Sequence, residues 1–115
     1  IIGVNMNLRE VAIEYFLNFQ NKDIDALSEM FHEQVTLRDW EINASGKELV
    51  VAANENIFNS VGRIKIDLEN LYINELNVVA ELMIHADDND PLLVVDIIDF
   101  DMDYKICSIK AYRGN

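Results

Sequence analysis

The chain of 115 residues contains little cysteine, little positive charge and no long apolar run. Its one cysteine, Cys107, cannot form an intramolecular disulfide, which fits a reducing compartment. Lysine and arginine together number 9 against 21 aspartate and glutamate residues, which gives a net charge of −12. This balance argues against nucleic acid and anionic membrane surfaces as partners, because both require a basic footprint. No apolar run approaches the ~20 residues that a membrane-spanning helix requires.

The sequence also lacks an internal repeat, a low-complexity segment and a linker rich in proline, glycine or serine. We therefore expect a single domain over residues 1–115. Hydrophobic residues make up 50% of the chain, which is enough to supply a core and argues against global disorder. The first ten residues contain no apolar segment of the signal-peptide type, so we expect a cytoplasmic location.

The first half of the chain has the apolar spacing of helices. The third helix would open with a capping box of Ser45 and Glu48 and end before Gly62. Asp23 is a suitable N-cap for the second helix. Helices are predicted over residues 8–20, 24–31 and 46–61.

Alternating apolar and polar residues predict strands, which dominate the second half of the chain. The strands are predicted over residues 35–40, 63–73, 78–86, 92–102 and 106–113. We expect an α+β fold in which a curved antiparallel meander wraps three helices. A curved sheet of this kind can leave a cavity between itself and the helices.

Three polar residues occupy faces that are otherwise apolar. Asp96 shares its strand face with Val94 and Ile98, Asp39 lies on the apolar face of its strand, and Tyr15 interrupts the apolar stripe of the first helix. Apolar surroundings favour a protonated carboxylic acid, which can donate a hydrogen bond, whereas a less buried carboxylate can accept a proton. Ordinary structural interpretations remain open: a core tyrosine with its hydroxyl at the rim, a turn aspartate, and an Asp96 that faces solvent.

Three segments follow a pattern known from one family of proteins. They are EYFLNFQNKDIDALSEMF (14–31), FHEQVTLRDW (31–40) and VVDIIDFDMDYKICSIKAY (94–112). They are similar to the first two helices, the aromatic-x-acidic-x-x-T-x-x-D segment and the final hairpin of the NTF2-like superfamily. From about Leu8 to Arg113, the chain resembles the ketosteroid isomerase-like, or SnoaL-like, branch of this superfamily. The resemblance implies a cone-shaped fold, the cystatin-like α+β barrel.

The resemblance also implies roles for the three polar residues. In ketosteroid isomerases the base aspartate stands at the position of Asp39, the oxyanion-hole tyrosine at that of Tyr15, and a protonated aspartic acid at that of Asp96. The expected activity is isomerisation of a small apolar carbonyl compound by proton transfer, without a metal or an organic cofactor. A homodimer is also expected.

Six further residues are expected to line the pocket. Phe31 and Asn54 stand where some family members have a tyrosine network, and Trp40 replaces a proline that commonly follows the base. These departures argue against a steroid substrate more than against the proton-transfer groups. Two alternatives stay open: a non-catalytic module for a small hydrophobic ligand, and an interaction domain that uses the outer face of the sheet. The six residues are Phe19, Phe31, Trp40, Asn54, Phe58 and His85.

Overall fold

The computed structural model describes residues 6–115. The helices are α1 (Leu8–Gln20), α2 (Ile24–Met30) and α3 (Lys47–Ser60). The strands are β1 (Phe31–Arg38), β2 (Asn43–Ser45), β3 (Ile64–Asn74), β4 (Asn77–Ala86), β5 (Leu92–Phe100) and β6 (Ile106–Arg113). The α+β class is confirmed. In the described part of the chain, no helix has the length and apolar character needed to cross a membrane.

The strands form one curved, unclosed sheet in the order β2-β1-β6-β5-β4-β3. Strands β3 to β6 make the antiparallel meander that the sequence predicts. However, β1 pairs with β6 in parallel, with Leu37 beside Ile109, so the sheet is not antiparallel throughout. The connection from β1 to β6 passes through α3 and the four other strands, so no tight turn imposes an antiparallel direction on this pair.

The start of α3 differs from the prediction. Ser45 belongs to the short strand β2, where it pairs with Thr36, and the N-cap of α3 is Gly46, without a side-chain cap. The predicted capping box of Ser45 and Glu48 is therefore wrong, because Ser45 is part of a strand and does not cap the helix. Gly46 has φ +91° and ψ 148°, a conformation that is accessible essentially only to glycine. The turn from β2 into α3 therefore depends on this glycine.

Several other predicted boundaries shift. The second helix ends at Met30, and Phe31 begins β1, so this strand starts four residues earlier than predicted and ends just before Asp39. Gly62 is not a left-handed helix stop; its N–H group donates to Asp87 Oδ2 at 3.1 Å, so a carboxylate from the end of β4 caps this turn. Strand β5 ends at Phe100 instead of continuing to residue 102.

Burial alternates along β5 and shows which residues face the helices. The even-numbered residues from 94 to 100 are buried, whereas the odd-numbered residues are less buried. The buried apolar residues of β5 belong to the same core as Leu27, Phe31 and Ile106. Asp96 is therefore on the inner face of the sheet, and the solvent-facing interpretation of this residue is excluded.

Candidate active site

A cavity of about 330 Å³ lies between the inner face of the sheet and helices α1 and α3. Its wall is largely apolar, with side chains such as Ile64, Leu82 and Val94. The volume is near the lower end of the range of ~300–1,000 Å³ that is typical of ligand pockets. The cavity is also lined by Tyr15, Asp39 and Asp96. The fold thus brings to one wall the three polar residues that stand out in the sequence.

Asp96 is buried in the middle of β5, with 8% of its surface exposed. Its neighbours across the two adjacent strands are Ala80 on β4 and Ala111 on β6, whose short side chains leave space beside the carboxyl group. Burial, and secondarily the negative charge of Asp39, raise the pKa of Asp96 from its usual 3.8 to about 7. A substantial fraction of Asp96 is therefore protonated at neutral pH and can donate a hydrogen bond.

Tyr15 projects from the apolar stripe of α1 and is 4% exposed. Its ring packs edge-on against Phe16, with centroids 5.2 Å apart, and is tilted against Phe19 at 6.4 Å. Burial, followed by the charge of Asp96, raises the pKa of the Tyr15 hydroxyl well above its usual value of 10. The hydroxyl therefore stays protonated and is available as a donor.

The Tyr15 hydroxyl and the Asp96 carboxyl have no hydrogen-bond partner within residues 6–115. In the same part of the chain, no fully enclosed polar side-chain atom lacks a partner. Both groups must therefore open into the cavity instead of being sealed in the core. Polar groups at nearly buried positions are normally hydrogen-bonded, so two unpartnered donors facing an apolar cavity are suited to a ligand oxygen.

Asp39 follows directly after β1 and is held by its own turn. Its Oδ1 atom accepts hydrogen bonds from the backbone N–H groups of Glu41 and Ile42 at 2.7 and 2.6 Å. The backbone N–H of Asp39 donates to the Ile42 carbonyl oxygen at 2.9 Å, which closes the turn. One carboxylate oxygen thus fixes the orientation of the side chain, and Oδ2 remains available to a ligand in the cavity.

Three of the six predicted pocket residues line the cavity, namely Phe19, Trp40 and Asn54. Trp40 is 41% exposed and stands beside Asp39 at the solvent side of the wall. Asn54 is 2% exposed, and its Nδ2 atom donates to the Val50 carbonyl oxygen at 2.9 Å. Its amide therefore already has a partner within α3.

The other three predicted pocket residues do not line this cavity. Phe31 is 2% exposed and belongs to the core at the start of β1. Phe58 packs behind the wall against Phe19, with ring centroids 5.0 Å apart. His85 lies on the outer face of β4, where its Nε2 atom is 2.9 Å from Asp67 Oδ2. These three assignments are corrected: two of the side chains are core, and the third points away from the helices.

Two charged residues of the wall were not predicted from the sequence, namely Glu41 and, at the end of β6, Arg113. Arg113 contacts a predicted pocket residue. Its guanidinium carbon is 6.0 Å from the centroid of the Trp40 ring. The sequence did contain a signal for Arg113. Ile109, Ala111 and Arg113 occupy every second position of β6, so they share one face of the strand.

The family model described as SnoaL-like domain matches residues 12–109. The chain belongs to the SnoaL-like domain family. The resemblance found in the sequence is therefore confirmed at the level of the family. No curated protein matches this SnoaL-like domain significantly.

Several solved structures share the fold of this SnoaL-like domain. An NTF2-like protein of unknown function from Cytophaga hutchinsonii has a TM-score of 0.83 at 12% identity, with 98% of this chain and 95% of that chain covered. The epoxide hydrolase/cyclase-like enzyme SalBIII, which has a role in pyran ring formation in the polyether salinomycin, has a TM-score of 0.81 at 21% identity, with 93% and 90% covered. A candidate ketosteroid isomerase from Kribbella flavida has a TM-score of 0.81 at 13% identity, with 94% and 78% covered. These identities show the fold alone, and the cone-shaped NTF2-like architecture is confirmed.

Proposed function

We propose that this SnoaL-like domain is an isomerase that transfers a proton within a small apolar carbonyl compound. The observation that carries the proposal is the pair of unpartnered donors, Tyr15 and Asp96, facing the same apolar cavity as the Asp39 carboxylate. A carbonyl oxygen that accepts hydrogen bonds from both donors would lie in the cavity that Asp39 also lines. The similarity to a candidate ketosteroid isomerase and to a cyclase-like enzyme supports an enzyme of this general class.

In the proposed mechanism, Asp39 Oδ2 takes a proton from the carbon next to the substrate carbonyl. The electron pair of the broken C–H bond moves into the carbonyl group and gives an enolate. The enolate oxygen accepts hydrogen bonds from the Tyr15 hydroxyl and from protonated Asp96. Preorganised donors of this kind contribute about 3–4 kcal/mol each to the stability of a transition state. Asp39 then returns the proton to another carbon, which completes the isomerisation and restores the carboxylate.

A carboxyl-carbon NMR titration tests whether this donor arrangement exists. We expect the Asp96 resonance, assigned with Asp96→Asn, to titrate near pH 7. We expect Asp39→Asn to lower the pKa of Asp96, because the negative charge of Asp39 contributes to raising it. Asp99→Asn is the matched control, since Asp99 lies on the outer face of the same strand. An Asp96 that titrates like an exposed aspartate would refute the proposed donor pair, and a pKa of Asp96 that is indifferent to Asp39 would show that the two carboxyl groups do not interact.

We also propose that the SnoaL-like domain forms a homodimer through the outer face of its sheet. Apolar side chains adjoin one another there: Val79 pairs with Ile97, and Val95 pairs with Tyr112, which is 55% exposed. An apolar surface of this kind is typical of an interaction site. Light scattering should give a molar mass near twice the 13.2 kDa of the chain, and Val95→Glu should halve it. A monomeric unaltered protein would contradict the proposal.

A further inference from the structure

Arg113 is the only basic residue on the cavity wall in the part of the chain that the structure describes. It is exposed, as is its neighbour Trp40, whereas Tyr15 and Asp96 are buried. The wall therefore changes from the buried Tyr15 and Asp96 to an exposed mouth, which carries Arg113 together with Trp40 and Glu41. In the strand register, Arg113 pairs with Val94, two residues along β5 from Asp96, which corresponds to ~7 Å along the strand.

The guanidinium group of Arg113 forms neither an ion pair nor a hydrogen bond with any residue from 6 to 115. Its contact is with the Trp40 ring, at 6.0 Å from the centroid. A cation above an aromatic face is attracted by the ring quadrupole, so the indole holds the guanidinium at the mouth while its N–H donors remain free.

The free donors of a guanidinium form a planar fork that matches a carboxylate group. A ligand group of higher negative charge suits this site less well, because Asp39 and Glu41 also line the wall and would repel it. One cation among these acids is best matched by one carboxylate. The position of Arg113 at the mouth places that carboxylate at the opposite end of the ligand from the buried donors.

We infer that the ligand of this cavity is a carbonyl compound with an apolar middle and a carboxylate at its far end, which Arg113 binds at the mouth. The carbonyl group at the buried end of the ligand rests on the proposed function, in which its oxygen lies between Tyr15 and Asp96. The carboxylate end rests on Arg113 and Trp40 alone. Arg113 is thus a specificity-determining residue and takes no part in the proton transfer.

Two phenols that imitate an enolate oxygen test this inference. They are 2-naphthol, which is uncharged at its far end, and 6-hydroxy-2-naphthoic acid, which adds a carboxylate there. We expect Arg113→Met to weaken binding of the naphthoate by about tenfold or more, as for loss of a charge-assisted hydrogen bond. Binding of 2-naphthol should change less than about twofold, and Arg113→Lys should restore part of the naphthoate affinity. Calorimetric titration gives each dissociation constant.

Arg38→Met is the matched control, because it makes the same charge change at the end of β1, beside Lys110 on the outer face. It should alter neither affinity. Equal weakening of both probes by Arg113→Met, or of neither, overturns the inference about the carboxylate. Naphthoate binding that requires Arg113 but is unaffected by Tyr15→Phe and Asp96→Asn supports the inference and counts against the proposed function. Failure of the unaltered protein to bind either probe overturns both.

Discussion

Asp39→Asn is expected to lower the rate of isomerisation by about 10²–10⁴-fold, the usual contribution of a general base. Asparagine keeps the size of the side chain and can still accept the hydrogen bonds from Glu41 and Ile42 that shape the turn. It cannot take a proton at neutral pH, so only the proton transfer is lost. The measurement is the conversion of a β,γ-unsaturated ketone such as cyclohex-3-enone to its conjugated isomer, followed by ultraviolet absorbance.

The same variant should still bind 2-naphthol, because the two donors to the ligand oxygen remain. Asp99→Asn, on the outer face of β5, should leave both the rate and the binding unchanged. An unaltered rate in Asp39→Asn would show that this residue is not the base. If the unaltered protein bound 2-naphthol but converted no unsaturated ketone, the cavity would be better explained as a non-catalytic ligand site.

Asp96→Asn is expected to make the protein more stable than the unaltered chain above pH 7. The pKa of Asp96 is about 7 in the folded protein, against a usual value of 3.8. Between these values the folded state keeps a proton that the unfolded state has lost, so stability falls as the pH rises through this range. Above pH 7 the accumulated cost reaches up to about 4 kcal/mol. Well below pH 3.8 both states are protonated and the cost disappears.

Urea unfolding at pH 4, 6 and 8.5 measures this effect. The free energy of unfolding of the unaltered protein should fall between pH 4 and 8.5 relative to that of Asp96→Asn, since the amide has no proton to lose. Asp99→Asn serves again as control and should keep the pH dependence of the unaltered protein. Parallel pH profiles for Asp96→Asn and the unaltered protein would show that Asp96 is not held as a neutral acid.

The part of the fold that depends on local pattern could be predicted from the sequence. The helical spacing from Leu8 to Gln20 and the alternation of β3 to β6 gave the correct elements. The parallel pairing of β1 with β6 could not be predicted, because it joins segments some seventy residues apart and no local pattern records it. The predicted capping box at Ser45 was wrong for a related reason. The local sequence has the capping pattern, but Ser45 pairs with Thr36 of β1 instead, and this pairing depends on a distant segment.

For the site, too, the local sequence pattern predicted which face of a strand a residue lies on, but not how distant elements pack together. Alternation places Asp96 with the buried residues of β5, and the same rule, applied to Ala80, Leu82 and Ile84, places His85 on the opposite face. Whether Phe58 reaches the cavity or stops behind Phe19 depends on how α1 and α3 pack, which the sequence does not specify. The roles of Tyr15, Asp39 and Asp96 came from a family resemblance, and they remain predictions.

The two alanines beside Asp96 affect the size of ligand that the cavity can hold, whereas other residues carry its reactive groups. Ala80 and Ala111 flank the acid on the neighbouring strands, so the room beside it is set by strand positions that carry no reactive group. A larger side chain at position 111, which lines the wall, would shorten the space available while the backbone that holds the acid stayed in place. Related domains could therefore diverge in the size of their ligands through these small residues and keep the same three polar residues in the cavity.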